Sequence, residues 1–243
     1  MKAALRVLIA SPIDFRKGPA ADAIAQWAAV GKREVEAVGD TPLYAVCGVI
    51  DSKDPCTFEE PVGEVSVLVV RRTADPARAA AAGYILERIR LTREAVRVRA
   101  DIIWFLDLNL TPPEGSWAAL RAEVVAGAGG ALVPHPIENT MTIPGVVIPS
   151  AIRNNLFALV DARTCSPEPG RNSFRVLGGG MGCVAVPMYT FLVVRFTVEA
   201  INITDEYTKT ILSGEAVGWY MNAARHQVPI RALAGRVCAI AQH

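Results

Sequence analysis

The chain has 243 residues, a formal net charge of +1, 51% hydrophobic and 20% charged residues. That length suits one large domain with a core that needs no covalent staples, and the composition excludes a disordered chain. A charge balance this close to zero supplies no electrostatic basis for general nucleic-acid binding. Cys47, Cys56, Cys165, Cys183 and Cys238 show neither CxxC nor zinc spacing. Their odd number and scatter argue against a disulfide framework and for a reducing compartment.

Residues 5–10 form an apolar, β-favouring run closed by Ser11-Pro12, which predicts a first strand rather than a signal peptide. Residues 19–30 carry helical periodicity with Pro19 near the first turn. Strands are expected over 43–50, ending at Asp51, and over 65–70, ending at Arg71 and Arg72. A long Ala-, Arg- and Leu-rich helix is expected over 77–99, and a fourth strand over 102–106, ending at Asp107. The alternation predicts an α/β fold: a mostly parallel, twisted central sheet with helices on both faces. In such sheets ligands bind outside the carboxyl ends of the strands. Asp14, Asp51, Arg71 and Asp107 are therefore expected along one rim.

Beyond Pro112-Pro113 the pattern predicts a helix over 116–126, a glycine-rich break at 127–130 and a strand from 131. Residues 134–170 read as long loops with a short helix near 151–160. Residues 175–182 lead into the apolar run 183–187, a helix is expected over 213–225, and strand-like material over 230–240. The organisation expected is one domain over 1–243, with a ligand-binding half at 1–110, a second half at 111–243 and a small C-terminal β and loop portion. No apolar run approaches the ~20 residues that cross a bilayer. The protein is expected to be cytoplasmic or peripheral at a membrane, as a monomer or a homo-oligomer.

The best local signal for chemistry is Ile102-Ile103-Trp104-Phe105-Leu106-Asp107-Leu108-Asn109. A buried strand delivers a carboxylate, and a second oxygen follows two positions later, on the same side of an extended chain. Such a pair suits a hard divalent cation, Mg²⁺ or Mn²⁺, that grips a diphosphate. Arg88, Arg90, Arg93, Arg97 and Arg99 crowd one stretch, as a solvated helix face or with one or two reaching a phosphate.

This run, from Ala100 to Pro113, resembles the signature segment of family 2-type glycosyltransferases with the GT-A fold, a Rossmann-like architecture. There an apolar strand ends in Asp-x-Asp; here Asn109 stands for the second Asp. Two further segments resemble the family in order. Leu177-Gly178-Gly179-Gly180-Met181-Gly182-Cys183-Val184 is similar to its glycine-rich turn near the acceptor. Ser213-Gly214-Glu215-Ala216 is similar to its Gly-Glu-Asp segment, with Ala216 in place of the Asp.

The resemblance implies a sugar transferred from a nucleotide-diphospho-sugar to a glycan, lipid or protein acceptor. It implies Asp107, Asn109 and His243 as metal ligands and Glu215 as base or acceptor contact. Ser11, Pro12, Asp14 and Asp51 would lie at the base and ribose, Arg90 or Arg93 at the diphosphate, and Gly179 and Gly180 at the sugar or acceptor. Because Asn109 and Ala216 each remove a carboxylate, a non-catalytic relative that binds nucleotide or sugar, or serves structurally, is the alternative. A nucleotidyltransferase ranks third, since Arg16-Lys17-Gly18 is a thin version of its basic phosphate loop.

Overall fold

The structure is a computed structural model that describes residues 3–14, 21–50, 56–62, 65–73, 84–136, 144–149, 157–197, 199–204 and 209–240. Strand β1 (Arg6–Asp14) lies parallel between β2 (Thr41–Ile50) and β5 (Ile102–Leu106), with Leu8 opposite both Leu43 and Ile103. Strand β4 (Val65–Thr73) continues the sheet parallel to β2, and β3 (Cys56–Val62) closes that edge antiparallel. Arg71 and Arg72 therefore lie within β4, not past its end. Residues 77–83 of the long helix expected over 77–99 lie outside the described residues; its described part is α2 (Ile85–Arg97).

On the other side of β5 the order differs from simple alternation. Strand β12 (Cys183–Pro187) inserts antiparallel between β5 and β7 (Gly130–Leu132). Strand β15 (Ile230–Leu233) pairs parallel with β7, and β10 (Ser173–Val176) forms the antiparallel edge. One nine-stranded sheet thus takes strands from both halves of the chain, in the order β10-β15-β7-β12-β5-β1-β2-β4-β3. All but β3, β10 and β12 run in one direction, so the sheet is mixed and mostly parallel.

Strand side chains alternate between two cores. Ile102, Trp104 and Leu106 join Ile24, Trp27 and Val35 of α1 (Ala21–Glu36) and Trp117, Leu120 and Val124 of α3 (Ser116–Val125). Ile103 and Phe105 face the opposite way, against Leu91 and Ala95 of α2 and Trp219, Tyr220 and Ala223 of α4 (Glu215–Arg225). Burial on both faces explains why β5 reads as an unbroken apolar run. A buried carboxylate ties α3 to α1: Glu34 accepts from the backbone N–H groups of Gly115 at 3.0 Å and Trp117 at 3.1 Å. A negative charge there satisfies N–H groups that the helix itself leaves unpaired.

The loop-rich middle holds more strand than its composition predicts. Residues 151–156 of the expected short helix lie outside the described residues, and Phe157–Asp161 is strand β9, antiparallel to β8 (Gly145–Pro149). Its four-residue apolar run, 157–160, is compatible with either state, and here the partner strand decides. Strand β8 also pairs with β11 (Gly178–Gly179). Ser213 and Gly214, expected to open a helix, end strand β14 (Lys209–Gly214), which pairs with β13 (Glu199–Thr204); helix α4 begins at Glu215.

Candidate functional site

The carboxyl ends of β1, β2, β5 and β7 and the start of antiparallel β12 share one end of the sheet. Asp107 follows β5 directly. Its backbone N–H donates to the Gly182 carbonyl at 2.7 Å, which sets the turn before β12 beside it. The chain then reverses: the Leu110 N–H donates to the Asp107 carbonyl at 3.0 Å. Residues 107–110 are a turn, so the same-side argument for Asp107 and Asn109, which assumed an extended chain, does not hold; Asn109 is half-buried at the turn. Past the turn, β6 (Leu110–Thr111) pairs antiparallel with β16 (Ala239–Ile240), bringing the C-terminal segment alongside.

The Asp107 side chain is 26% exposed, and its two oxygens have different surroundings. Oδ1 lies 3.4 Å from Nη2 of Arg88, a buried arginine on α2 whose guanidinium stands 4.9 Å over the Phe105 ring. A cation held against an aromatic face and a carboxylate offsets part of its desolvation. The arginine at the strand tip is thus Arg88. Arg90 Nε lies 3.8 Å from Glu94 Oε1, and Arg93 is exposed. Oδ2 packs closely on the Gly182 backbone: a Cβ there would sit 2.8 Å from Asp107 Oδ2 and 3.0 Å from Nε2 of His135. A Cβ on Gly180 would run into the same imidazole. Gly180 and Gly182 are therefore needed for close approach; neither has a positive φ.

His135 follows β7. Its Nε2 accepts from the Gly182 N–H at 3.2 Å, and its Nδ1 faces the Pro136 carbonyl at 3.0 Å. From α4, Tyr220 donates its hydroxyl to the Gly180 carbonyl at 3.2 Å. Burial pushes the Tyr220 phenol far above its ordinary range, opposed by the Arg88 charge, so it acts here as a neutral donor. Cys183 and Cys238 are buried next to this unit. The Cys238 thiol is raised by its hydrogen bond with Cys183, then by burial, with the Asp107 charge adding to it, so it stays protonated.

Ser11 and Pro12 are buried within β1, and the Ser11 hydroxyl donates to the Pro12 carbonyl at 3.2 Å. Asp14 ends β1 at the same rim, with its side chain outside the described set; Asp51 and His243 lie outside the described residues, as does the side chain of Glu215, the first residue of α4. Gly179 lies in β11, with Leu132 packed at 3.3 Å from where its Cβ would be.

Among the described residues no group of three or more His, Cys, Asp or Glu side chains is arranged to hold a metal ion. The described oxygen donor at this strand tip is the partly exposed Asp107 carboxylate, one oxygen of which is paired with Arg88. Mg²⁺ is commonly held by one or two protein ligands plus substrate phosphates, and imidazole is an accepted partner for transition metals. From the sequence Arg88 stood only as one of five clustered arginines, with Arg90 and Arg93 preferred, and His135 was not singled out; the signal for His135 was its place between two prolines just after a strand.

No protein-family model matches the chain. Among curated proteins it is similar to an uncharacterized protein of African swine fever virus. The protein of the Pig/Kenya/KEN-50/1950 isolate is 30% identical over 166 residues, which is 64% of this chain and 67% of that protein. The chain belongs to the family of this viral protein. The Warthog/Namibia isolate's member of the family is 28% identical over the same length.

Among solved structures, this family member is similar in fold to GalNAc-T7 with UDP, GalNAc and Mn²⁺. The TM-score is 0.55 at 11% identity, over 100% of this chain and 45% of that one. It is also similar to the protein A197 from STIV, with a TM-score of 0.53 at 13% identity over 98% and 87% of the two chains. At these identities the likeness is one of fold: a mixed α/β architecture shared with a GT-A glycosyltransferase. No helix among the described residues is long and apolar enough to cross a membrane.

Proposed function

We propose that this protein transfers a glycosyl group from a nucleotide-diphospho-sugar to an acceptor hydroxyl, with a divalent cation at Asp107. The observation that carries the reading is the partly exposed Asp107 carboxylate at the carboxyl end of a central strand, one oxygen backed by Arg88 and the other packed against Gly182. A fold shared with a UDP- and Mn²⁺-containing glycosyltransferase supports it.

Asp107 would hold the cation, with Asn109 and His243 as further candidate ligands; when bound, the cation supplies charge neutralisation for the departing nucleoside diphosphate. Arg88 holds Asp107 in place and keeps positive charge at the strand tip. Ser11, Pro12, Asp14 and Asp51 are the candidates for the base and ribose, and Arg90 and Arg93, beside Arg88 at the strand tip, for the diphosphate. The turn containing Gly179 and Gly180, tied down by Tyr220, would let backbone approach the sugar or acceptor. Glu215, at the start of α4, is the candidate base for the acceptor hydroxyl. The alternative, a protein that binds a nucleotide-sugar without turning it over, rests on Ala216, where the resemblance expects a carboxylate.

The test is a thermal melt with UDP or GDP, with and without Mn²⁺, followed by nucleotide-sugar hydrolysis. A ligand that binds only the folded state raises the midpoint by about 2.7 kcal/mol of stability at one hundred times its Kd. The transferase reading expects a Mn²⁺-dependent rise and hydrolysis that Asp107→Ala abolishes. A rise without hydrolysis favours the non-catalytic reading, and no rise with any nucleoside diphosphate refutes both.

A further inference from the structure

Two of the chain's five cysteines meet beside the Asp107 tip. Cys183 opens β12 and Cys238 immediately precedes β16, and both are buried in the core that also holds Val133 and Leu110. Two consecutive residues at the end of β7 anchor them. The Cys183 carbonyl accepts from the Val133 N–H at 2.9 Å, and the Cys238 N–H donates to the Pro134 carbonyl at 2.9 Å. The two thiols are in hydrogen-bond contact. Thiols in contact on anchored backbones meet the proximity that a disulfide requires.

The segment carrying Cys238 is lightly held. Strand β16 consists of Ala239 and Ile240, both exposed, and pairs with the two residues of β6. A short edge of this kind opens locally far more readily than the sheet core. While it is closed, the Cys238 thiol is buried and held protonated by its bond to Cys183, so reaction waits for opening.

We propose that Cys183 and Cys238 are a redox pair that closes to a disulfide under peroxide and so fastens the C-terminal segment to β12. Opening of β16 exposes Cys238, whose thiolate attacks one peroxide oxygen. A sulfenic acid forms and the O–O bond breaks; the departing hydroxide takes the thiol proton and leaves as water. On reclosure Cys183 attacks the oxidised sulfur. The S–S bond forms as the S–O bond breaks, and hydroxide leaves with the Cys183 proton as a second water. Two thiols lose two electrons and one peroxide becomes two waters; a small thiol such as glutathione reverses the bond by exchange. In a reducing compartment such a pair acts as a sensor rather than a staple. Because β6 continues from the Asp107 turn, the bond ties the oxidation state to the freedom of that rim, whatever chemistry the rim performs.

In the test, the reduced full chain is treated with hydrogen peroxide, remaining thiols are capped with iodoacetamide, and peptides are mapped without reductant. The proposal expects a cross-linked Cys183–Cys238 peptide pair that dithiothreitol removes. The oxidised chain should melt roughly 4–16 °C above the reduced one, and backbone hydrogen exchange over 236–240 should slow. Cys183→Ala and Cys238→Ala should each lose the peroxide-induced shift, with their reduced melting curves as the folding control. Recovery of the two wild-type thiols as capped or sulfinic species, or bonded to other cysteines, overturns the pair. A Cys183–Cys238 bond that leaves either the midpoint or exchange over 236–240 unchanged overturns the fastening.

Discussion

Gly182→Ala is the most informative single methyl group that can be added to this protein. The glycine has no positive φ, so alanine meets no backbone penalty there. The whole effect comes from what the Cβ touches: Leu110 Cδ1 at 2.6 Å, Asp107 Oδ2 at 2.8 Å and His135 Nε2 at 3.0 Å. Relaxed carbon–carbon contacts lie near 3.5–4.0 Å, so roughly 1 Å must be recovered from Leu110, a buried side chain. Overpacking of this kind costs about 1–3 kcal/mol. For a chain of this size that lowers the midpoint by roughly 2–12 °C.

Stability alone would not distinguish a site from a tight turn. The methyl also presses on the Asp107 carboxylate and the His135 imidazole, so Mn²⁺ binding at Asp107 should weaken in protein that remains folded. Gly179→Ala is the matched control, because its Cβ would meet Leu132 and Val146 at 3.3 Å and beyond, away from both groups. Mn²⁺ binding followed by electron paramagnetic resonance on both variants reads the difference. If Gly182→Ala folds and binds Mn²⁺ with wild-type affinity, the cation is not held by the Asp107 oxygen that the methyl crowds.

Two further predictions concern the scaffold. The Asp40 carboxylate is fully buried and accepts from Leu5 N at 3.0 Å, Trp117 Nε1 at 3.0 Å and Arg121 Nε at 2.7 Å. Asp40→Asn removes the charge paired with Arg121 and turns an amide N–H toward at least one donor, so calorimetry should show a loss of about 3 kcal/mol, and a loss under about 1 kcal/mol would contradict the ion pair's role. Glu168 is held below the ordinary glutamate value of 4.5, first by its hydrogen bond from Arg231. With its folded value depressed, its stabilisation is fully present above about 4.5 and fades as pH falls through the lowered value. Urea melts should therefore separate wild type from Glu168→Gln at pH 6, with the gap narrowing as pH falls below about 4.5; a gap that does not narrow on acidification would reject the argument.

What the residues declare on their own is local. Ile102–Leu106 is buried on both faces, so its apolar run marks β5 to the residue, and Ser116–Val125 differs from expectation by one position. The carboxylate at the tip of β5 was legible for the same reason: a charge directly after such a run must stand at a strand end. Partners decided the rest. Phe157–Asp161 is a strand because β8 lies beside it, and β12 enters antiparallel between β5 and β7, which no alternation of strands and helices announces.

Sequence spacing also misjudged Asp107 and Asn109, because the hydrogen bond from Leu110 back to Asp107 turns the chain between them. Arg88 and His135 lie 19 and 28 positions from Asp107 in opposite directions along the chain, and only the packing of α2 and β7 around β5 brings them together. Hydrophobic period and strand-end charge are properties of neighbouring residues and survive in a string of letters. Which distant nitrogen faces which oxygen is a property of the packed sheet, and it exists only after the chain has folded.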